Sequence, residues 1–308
     1  MRARFFAAVA ALVLGLTASA SAQVKVDISF RRTLYMMYEP LICTVTIQNM
    51  DSRTLNLEDT ARDKWFSVQI ETVDGRPVPP INPNYKNEPM RIEPGKKLVR
   101  AINLTPLFPF EFGTYRVQAT IFSEQLKRYF SSAQLNVEIT EGRTIFEETV
   151  GVPAGAGEGA ARTFSILVHR LPSSTVLYLR AQDRDAGRIY CTTPIGRFMT
   201  YGNPTVQFDN ANHIHILQNA APKVFLHTEA DINGKVLKQQ AIQVDKAKPT
   251  LARKSDGTIT TVGGTLFDPN ATPPLQQLPK LNDRPVPLPT PQGKPTPEEK
   301  RPENLLSR

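Results

Sequence analysis

The chain has 308 residues, with 37 Lys and Arg against 29 Asp and Glu, and a formal net charge of +8 at pH 7. The basic residues are interspersed with acidic ones and form no dense run with aromatic residues, so the sequence does not indicate a nucleic-acid-binding protein. A weak attraction to anionic polymers of the cell envelope is compatible with this charge.

An export signal is predicted at the N-terminus. Arg2 and Arg4 precede an apolar segment over residues 5–16, and the small residues that end at Ala22 are those that signal peptidase requires. We expect cleavage after Ala22, with an uncleaved anchor as the alternative. No later segment is long and apolar enough to span a bilayer. The sequence therefore predicts a periplasmic or secreted protein with no transmembrane segment once residues 1–22 are removed.

Residues 23–140 show the alternation of apolar and polar side chains that is typical of half-buried strands. Seven or so short segments of this kind follow one another, with Gly-containing turns at Asp74-Gly75 and Pro94-Gly95 and no helical periodicity. Short strands joined by such turns over a segment of this length predict a β-sandwich.

One part of this region resembles a known family. Gly113-Thr114-Tyr115 is similar to the Gly-x-Tyr entry to the penultimate strand of immunoglobulin-like domains. Glu93-Pro94-Gly95 and the strand entry Tyr38-Glu39-Pro40-Leu41 are similar to exported bacterial modules of this family. The resemblance implies an immunoglobulin-like fold in which the Tyr115 hydroxyl bonds to backbone at a corner between sheets. It implies adhesion, scaffolding or a spacer role, and no particular ligand.

The chain has two cysteines, Cys43 and Cys191. Cys43 shares a strand face with Leu41, Val45 and Ile47, so it is predicted to be a structural core residue. Export makes a disulfide between the two cysteines chemically feasible, and the sequence leaves their pairing open.

The second half of the chain is predicted to contain three further segments. Residues 141–162 are rich in Gly and Ala and are interpreted as a linker. Residues 163–264 read as a second small antiparallel β domain, with hairpin turns at Asn233-Gly234 and Asp256-Gly257. Residues 265–308 hold many of the 26 prolines and are predicted to be a disordered tail.

Three histidines, His213, His215 and His227, suggest a metal site in the second domain. If the strands over residues 213–217 and 223–230 form a hairpin, matching of their apolar rows places His213 opposite His227, with His215 on the same outer face. Such a set could bind Zn²⁺ or Cu²⁺, with Asp209 or Glu229 as further ligands. The alternative is a set of half-exposed histidines on the solvent side of a sheet, with no cofactor.

No set of residues with the spacing of a known catalytic motif occurs in the sequence, which does not indicate an enzyme. The sequence indicates an exported, non-catalytic binding or structural module of the cell envelope, whose partner would be an unknown protein or an envelope polymer. The alternatives are a metal-binding protein and an immunoglobulin-like inhibitor or chaperone that binds a protein through the edge of a strand.

Overall fold

The computed structural model describes residues 23–156, 158–245 and 247–267, and their regular structure consists of β-strands. The all-β class predicted from the sequence is confirmed. No helix among these residues is long and apolar enough to cross a membrane. The predicted signal peptide and the tail from residue 268 onwards lie outside the described residues.

The first part of the chain forms two main sheets that pack face to face. The smaller sheet has the order β1-β3-β7; the larger has the order β2-β10-β8-β5, with β9 paired to β8, and β4 pairs with β6. All pairs are antiparallel except β2 with β10. The strands are β1 (Val24–Phe30), β2 (Leu34–Met36), β3 (Ile42–Asn49), β4 (Leu55–Leu57), β5 (Phe66–Thr72), β6 (Met90–Ile92), β7 (Lys97–Asn103), β8 (Gly113–Ser123), β9 (Arg128–Ser131) and β10 (Leu135–Thr140).

The core between these sheets follows from the period of two along each strand. On β3, Cys43, Val45 and Ile47 are buried while the residues between them are partly exposed. Trp65 and Val117 complete the centre of the same cluster. Cys43 therefore lies fully buried in this core. Burial raises the pKa of its thiol to about 12, so it is a neutral packing group at physiological pH.

Tyr115 lies at the start of β8 with its ring buried and its hydroxyl bonded to the chain just upstream. The hydroxyl accepts a hydrogen bond from the Glu111 N–H at 2.8 Å and donates one to the Glu111 C=O at 3.0 Å. Phe110 packs edge-on against the ring, with the centroids 5.1 Å apart. This is the backbone bonding that the sequence resemblance implies for the corner tyrosine.

Replacement of Tyr115 by phenylalanine is expected to lower the free energy of unfolding by about 1 to 2 kcal/mol. The ring packing is retained, but the Glu111 N–H and C=O lose their common partner. Chemical denaturation of the mature chain measures the change. An unchanged unfolding midpoint would show that the Tyr115 hydroxyl does not stabilise the fold.

The second part of the chain forms three layers. A sheet of order β11-β12-β13-β14 packs against a sheet of order β15-β16-β17-β18-β21, and the β19–β20 hairpin covers the far side of the second sheet. The strands are β11 (Arg143–Gly151), β12 (Ala161–Leu171), β13 (Ser174–Asp183), β14 (Ile189–Arg197), β15 (Thr205–Phe208), β16 (Ile214–Ala221), β17 (Val224–Ala230), β18 (Val236–Gln243), β19 (Thr250–Arg253), β20 (Ile259–Val262) and β21 (Thr265–Leu266).

Two predicted segment boundaries are wrong. Half of the predicted linker over residues 141–162 belongs to β11 and the start of β12, which pair antiparallel from Arg143 opposite Val168 to Gly151 opposite Ala161. The Gly/Ala-rich segment is the loop of this hairpin, closed by a hydrogen bond of 3.0 Å from Val152 N–H to Ala160 C=O. The predicted tail also starts too early, because β21 adds to β18. Both segments are edge strands held by backbone pairing. Their side chains are mostly exposed, so the sequence shows little alternation of apolar and polar residues there.

A small interface joins the two parts of the chain. Met36 from the first part is buried against Leu167 and Tyr178 from the second. Arg32 Nη1 donates to the Tyr178 hydroxyl at 2.9 Å, and Arg180 Nη2 donates to the Met37 carbonyl at 2.9 Å. The described residues through Phe267 consequently belong to one compact unit.

Candidate functional site

The predicted pairing of His213 with His227 is wrong. In the β16–β17 hairpin His215 lies opposite Glu229, and His227 lies opposite Leu217. The register differs from the prediction by four residues because the turn is centred on Pro222 and the following Lys223, which has a positive φ of 59°. A shift by an even number leaves every side chain on its predicted face, so the three histidines still share one face of the sheet.

That face is covered rather than open to solvent. The β19–β20 hairpin lies over it, and His215 and His227 are only 3% and 6% exposed. Their rings stack with centroids 5.4 Å apart, and His215 Nδ1 lies 3.2 Å from His227 Nε2. His227 Nδ1 is 3.1 Å from the Thr261 hydroxyl of β20. Burial, with His215 and Lys238 nearby, lowers the pKa of His227 to about 4, so this histidine is neutral at physiological pH.

His213 lies at the border of the covered face, next to two carboxylates. Its Nδ1 is 3.3 Å from Asp209 Oδ2 and 3.8 Å from Glu229 Oε1. The other oxygen of Asp209 accepts the backbone N–H groups of Ala211 and His213, which fixes the carboxylate in the turn before β16. Asp209 Oδ2 is also 3.6 Å from His215 Nε2. The carboxylates predicted as further ligands therefore do lie beside His213.

The geometry gives the metal hypothesis little support. Among the described residues, no three His, Cys, Asp or Glu side chains are arranged so that they could hold a metal ion. Both ring nitrogens of His227 already lie within hydrogen-bond distance of His215 and Thr261, and the β19–β20 hairpin covers the ring. A metal ion would have to displace these contacts.

We expect the mature chain to bind Zn²⁺ and Cu²⁺ no more tightly than about 10 µM, the affinity that an isolated pair of surface histidines reaches. Calorimetry with each metal at pH 7 tests this, with His215→Ala and His213→Ala as variants. Tighter binding that His215→Ala weakens sharply would contradict the expectation and restore the three-histidine site.

A second feature, which sequence reasoning did not find, is an apolar groove on the first part of the chain. It lies where the edge strands β5 and β7 of the two sheets part, and it has a volume of about 330 Å³. We call it the β5/β7 groove. Its lining is formed by Phe66, Val68, Pro80, Ile81, Asn82, Tyr85, Asn87, Arg100, Ile102, Pro106, Leu107 and Phe108.

Hydrogen bonds hold the walls of the β5/β7 groove in place. The Tyr85 hydroxyl donates to the Phe66 carbonyl at 3.2 Å, and Asn87 Nδ2 donates to the same carbonyl at 3.0 Å. Ile81 N–H donates to the Leu107 carbonyl at 2.8 Å, which joins the two loops above the groove. The groove is consequently formed before any ligand arrives, and binding would not have to order these loops.

The rim of the groove presents large apolar side chains to solvent. Ile81 is 63% exposed and Leu107 is 44% exposed. Two titratable side chains occur in the lining, Tyr85 and Arg100. Burial, and then the charge of Asp59, raises the pKa of Tyr85, so this phenol does not ionise near neutral pH. The groove is therefore a largely apolar cleft with few polar groups, the usual lining of a ligand site.

No protein-family model matches the sequence, and no curated protein matches it. Among solved structures, the chain is similar to the CARDB domain of a Pyrococcus furiosus protein in complex with di-metal ions (16% identity, 38% of this chain and 87% of that chain, TM-score 0.25). It is also similar to the Bacillus subtilis sporulation control protein Spo0M (11% identity, 55% of this chain and 83% of that chain, TM-score 0.27). A third similar structure is the E. coli chaperone DraB (10% identity, 72% of this chain and 97% of that chain, TM-score 0.24). These TM-scores are below 0.5, so the similarities indicate nothing about the function of this chain.

Proposed function

We propose that this chain is an exported, non-catalytic binding module of the cell envelope, and that it holds a protein partner at the β5/β7 groove. The observation that carries the proposal is the groove itself: a preformed apolar cleft with Ile81 and Leu107 exposed at its rim. Concave apolar sites with a few fixed polar groups are the usual form of a ligand site.

The energetics of the rim support this function. Burial of apolar surface contributes about 25 cal/mol per Å². Ile and Leu side chains that stay exposed beside an apolar cleft would therefore stabilise a complex in which a partner covers them. The hydrogen bond from Ile81 N–H to the Leu107 carbonyl joins the two loops that carry these side chains. A partner that covers the rim would gain this energy without paying for loop ordering.

The test is a pull-down of envelope proteins by the tagged mature chain and two matched variants. Leu107→Ser removes an apolar side chain at the groove, and Leu237→Ser removes one of similar exposure, 48% against 44%, on β18. We expect Leu107→Ser to lower the recovery of the main partner at least tenfold and Leu237→Ser to leave it unchanged. Equal recovery by all three proteins would show that the groove is not the binding site.

A further inference from the structure

The two strands that flank the β5/β7 groove differ in how their outer edges are used. The outer edge of β5 is occupied at its C-terminal end, because Val78 N–H donates to the Ile70 carbonyl at 2.8 Å and Thr72 N–H donates to the Arg76 carbonyl at 2.8 Å. β7 ends its sheet and pairs only with β3 among the described strands. The whole length of β7 beside the groove is therefore an edge with no further strand paired to it among the described residues.

The register shows which backbone groups this edge offers. Leu104 N–H donates to the Leu41 carbonyl at 2.9 Å, and Asn49 N–H donates to the Lys96 carbonyl at 3.0 Å, at the two ends of the β3–β7 pair. Because hydrogen-bonded and non-hydrogen-bonded pairs alternate in an antiparallel ladder, the odd-numbered residues of β7 direct their N–H and C=O groups away from β3. Val99, Ala101 and Asn103 thus present them at the open edge.

Even-numbered residues of β7 line the groove, and one of them, Arg100, carries a charge. Arg100 and Ile102 both line the groove, and Arg100 is half-buried. No carboxylate of the described residues lies within 4.0 Å of the Arg100 guanidinium, in contrast to the paired Arg76 and Arg91 on the same part of the chain. An acidic side chain of a partner could therefore pair with the Arg100 guanidinium, which is partly desolvated and not paired with a carboxylate of the described residues.

We propose that the partner adds an extended segment as a new strand along β7, with alternate side chains in the β5/β7 groove: apolar residues against Ile102 and Leu107 and one Asp or Glu against Arg100. The proposal rests on the groove being the binding site. It deepens that function by assigning a recognition mode, β-strand addition, and a side-chain pattern.

Each part of the site contributes separately to this recognition. The free N–H and C=O groups of β7 bind any extended backbone, whereas the groove selects apolar side chains at every second position. An inward-pointing charge on an edge strand normally discourages association with other strands. Arg100 would accordingly reject apolar or basic segments at that position and accept an acidic one, which gives specificity as well as affinity.

The test uses two fluorescein-labelled synthetic heptapeptides, Thr-Val-Thr-Glu-Thr-Val-Thr and its counterpart with Lys in place of Glu. Binding to the purified mature chain is measured by fluorescence anisotropy. We expect wild type to bind the Glu peptide at least about tenfold more tightly than the Lys peptide, Arg100→Gln to bind both alike, and Arg100→Glu to prefer the Lys peptide. Equal binding of the two peptides by wild type would overturn the proposal.

The backbone part is tested by Ala101→Pro, which removes an outward N–H without taking a hydrogen bond from β3. We expect it to abolish binding of the Glu peptide. Hydrogen exchange on wild type provides a second readout that does not depend on the folding of a variant: the amides of Val99, Ala101 and Asn103 should become protected when the peptide is added. Unchanged exchange at these amides would overturn strand addition.

The two proposals can fail separately. If Leu107→Ser loses the envelope partner while Ala101→Pro and Arg100→Glu both retain it, the groove binds without an added strand, so the further inference is wrong and the proposed function stands. If Leu107→Ser retains the partner, the proposed function itself is wrong.

Discussion

Replacing Arg162 by methionine is expected to lower the free energy of unfolding by about 3 to 5 kcal/mol, the usual cost of leaving a buried charge without its partner. Arg162 is fully buried, and it forms an ion pair of 3.2 Å with Asp183. It also donates to the carbonyls of Ile232 and Glu158 and to the Asn233 side chain, at 2.9 to 3.2 Å. Methionine fills much of the space but satisfies none of these acceptors.

Arg188→Met is the matched control for Arg162→Met. Both guanidinium groups lie over the ring of Tyr190, at 3.7 Å for Arg162 and 5.2 Å for Arg188, but Arg188 is exposed and its ion pair is with the exposed Glu158. An exposed pair of this kind contributes at most about 1 kcal/mol. Similar losses for the two variants in urea unfolding would contradict the structural role given to Arg162.

Acidification from pH 7 to pH 4 is expected to lower the free energy of unfolding by about 2 to 3 kcal/mol through His227 alone. The pKa of His227 is lowered to about 4 in the folded chain, whereas an unfolded histidine titrates near 6.5. Between these values the unfolded state binds a proton that the folded state does not. Stability is therefore highest above pH 6.5 and falls as the pH decreases towards 4.

His227→Gln isolates this contribution, because a glutamine amide can bond to Thr261 but does not titrate. The other charged groups near the histidine pair, Asp209, Glu229 and Lys238, are unchanged in the variant. Urea unfolding between pH 7 and pH 4 should show a smaller loss of stability for the variant than for wild type. The same loss in both would show that His227 does not carry the acid sensitivity.

Much of the first sheet could be predicted from the sequence because its strands are half-buried. β1 alternates apolar and polar residues over its whole length and β3 does so over residues 43–48, and a period of two is the pattern that such burial imposes. β11 has no such pattern: its side chains are mostly exposed because it is a sheet edge with one neighbour, β12. Its backbone pairing leaves almost no trace in the order of apolar residues, so the sequence predicts a linker there.

For the histidine face, the sequence predicts which side chains lie together but not what they contact. The sequence indicates that His213, His215 and His227 share a face, because every second side chain of a strand lies on the same face of the sheet. The register and the covering layer are set by contacts distant in the chain. Leu251 and Ile259 of the β19–β20 hairpin pack over this face, and nothing within residues 213–230 indicates it.

The β5/β7 groove could not be predicted from periodicity because its walls come from four separate segments. Phe66, Ile81, Arg100 and Leu107 each belong to a different strand or loop, and only the fold brings them together. One signal was present: the connection between β5 and β6, residues 73–89, is long and rich in proline. Connections of that length without regular structure are uncommon and are often functional.

Site-specific photo-crosslinking in producing cells tests whether a partner binds at the β5/β7 groove. A benzophenone amino acid is placed at position 107 at the rim of the β5/β7 groove, or at position 237 on the exposed face of β18, where Leu237 has similar exposure. We expect a discrete crosslinked protein from position 107 and none from position 237. Crosslinking from position 237 alone, or none from position 107 in an exported, folded chain, would show that the groove does not hold the partner.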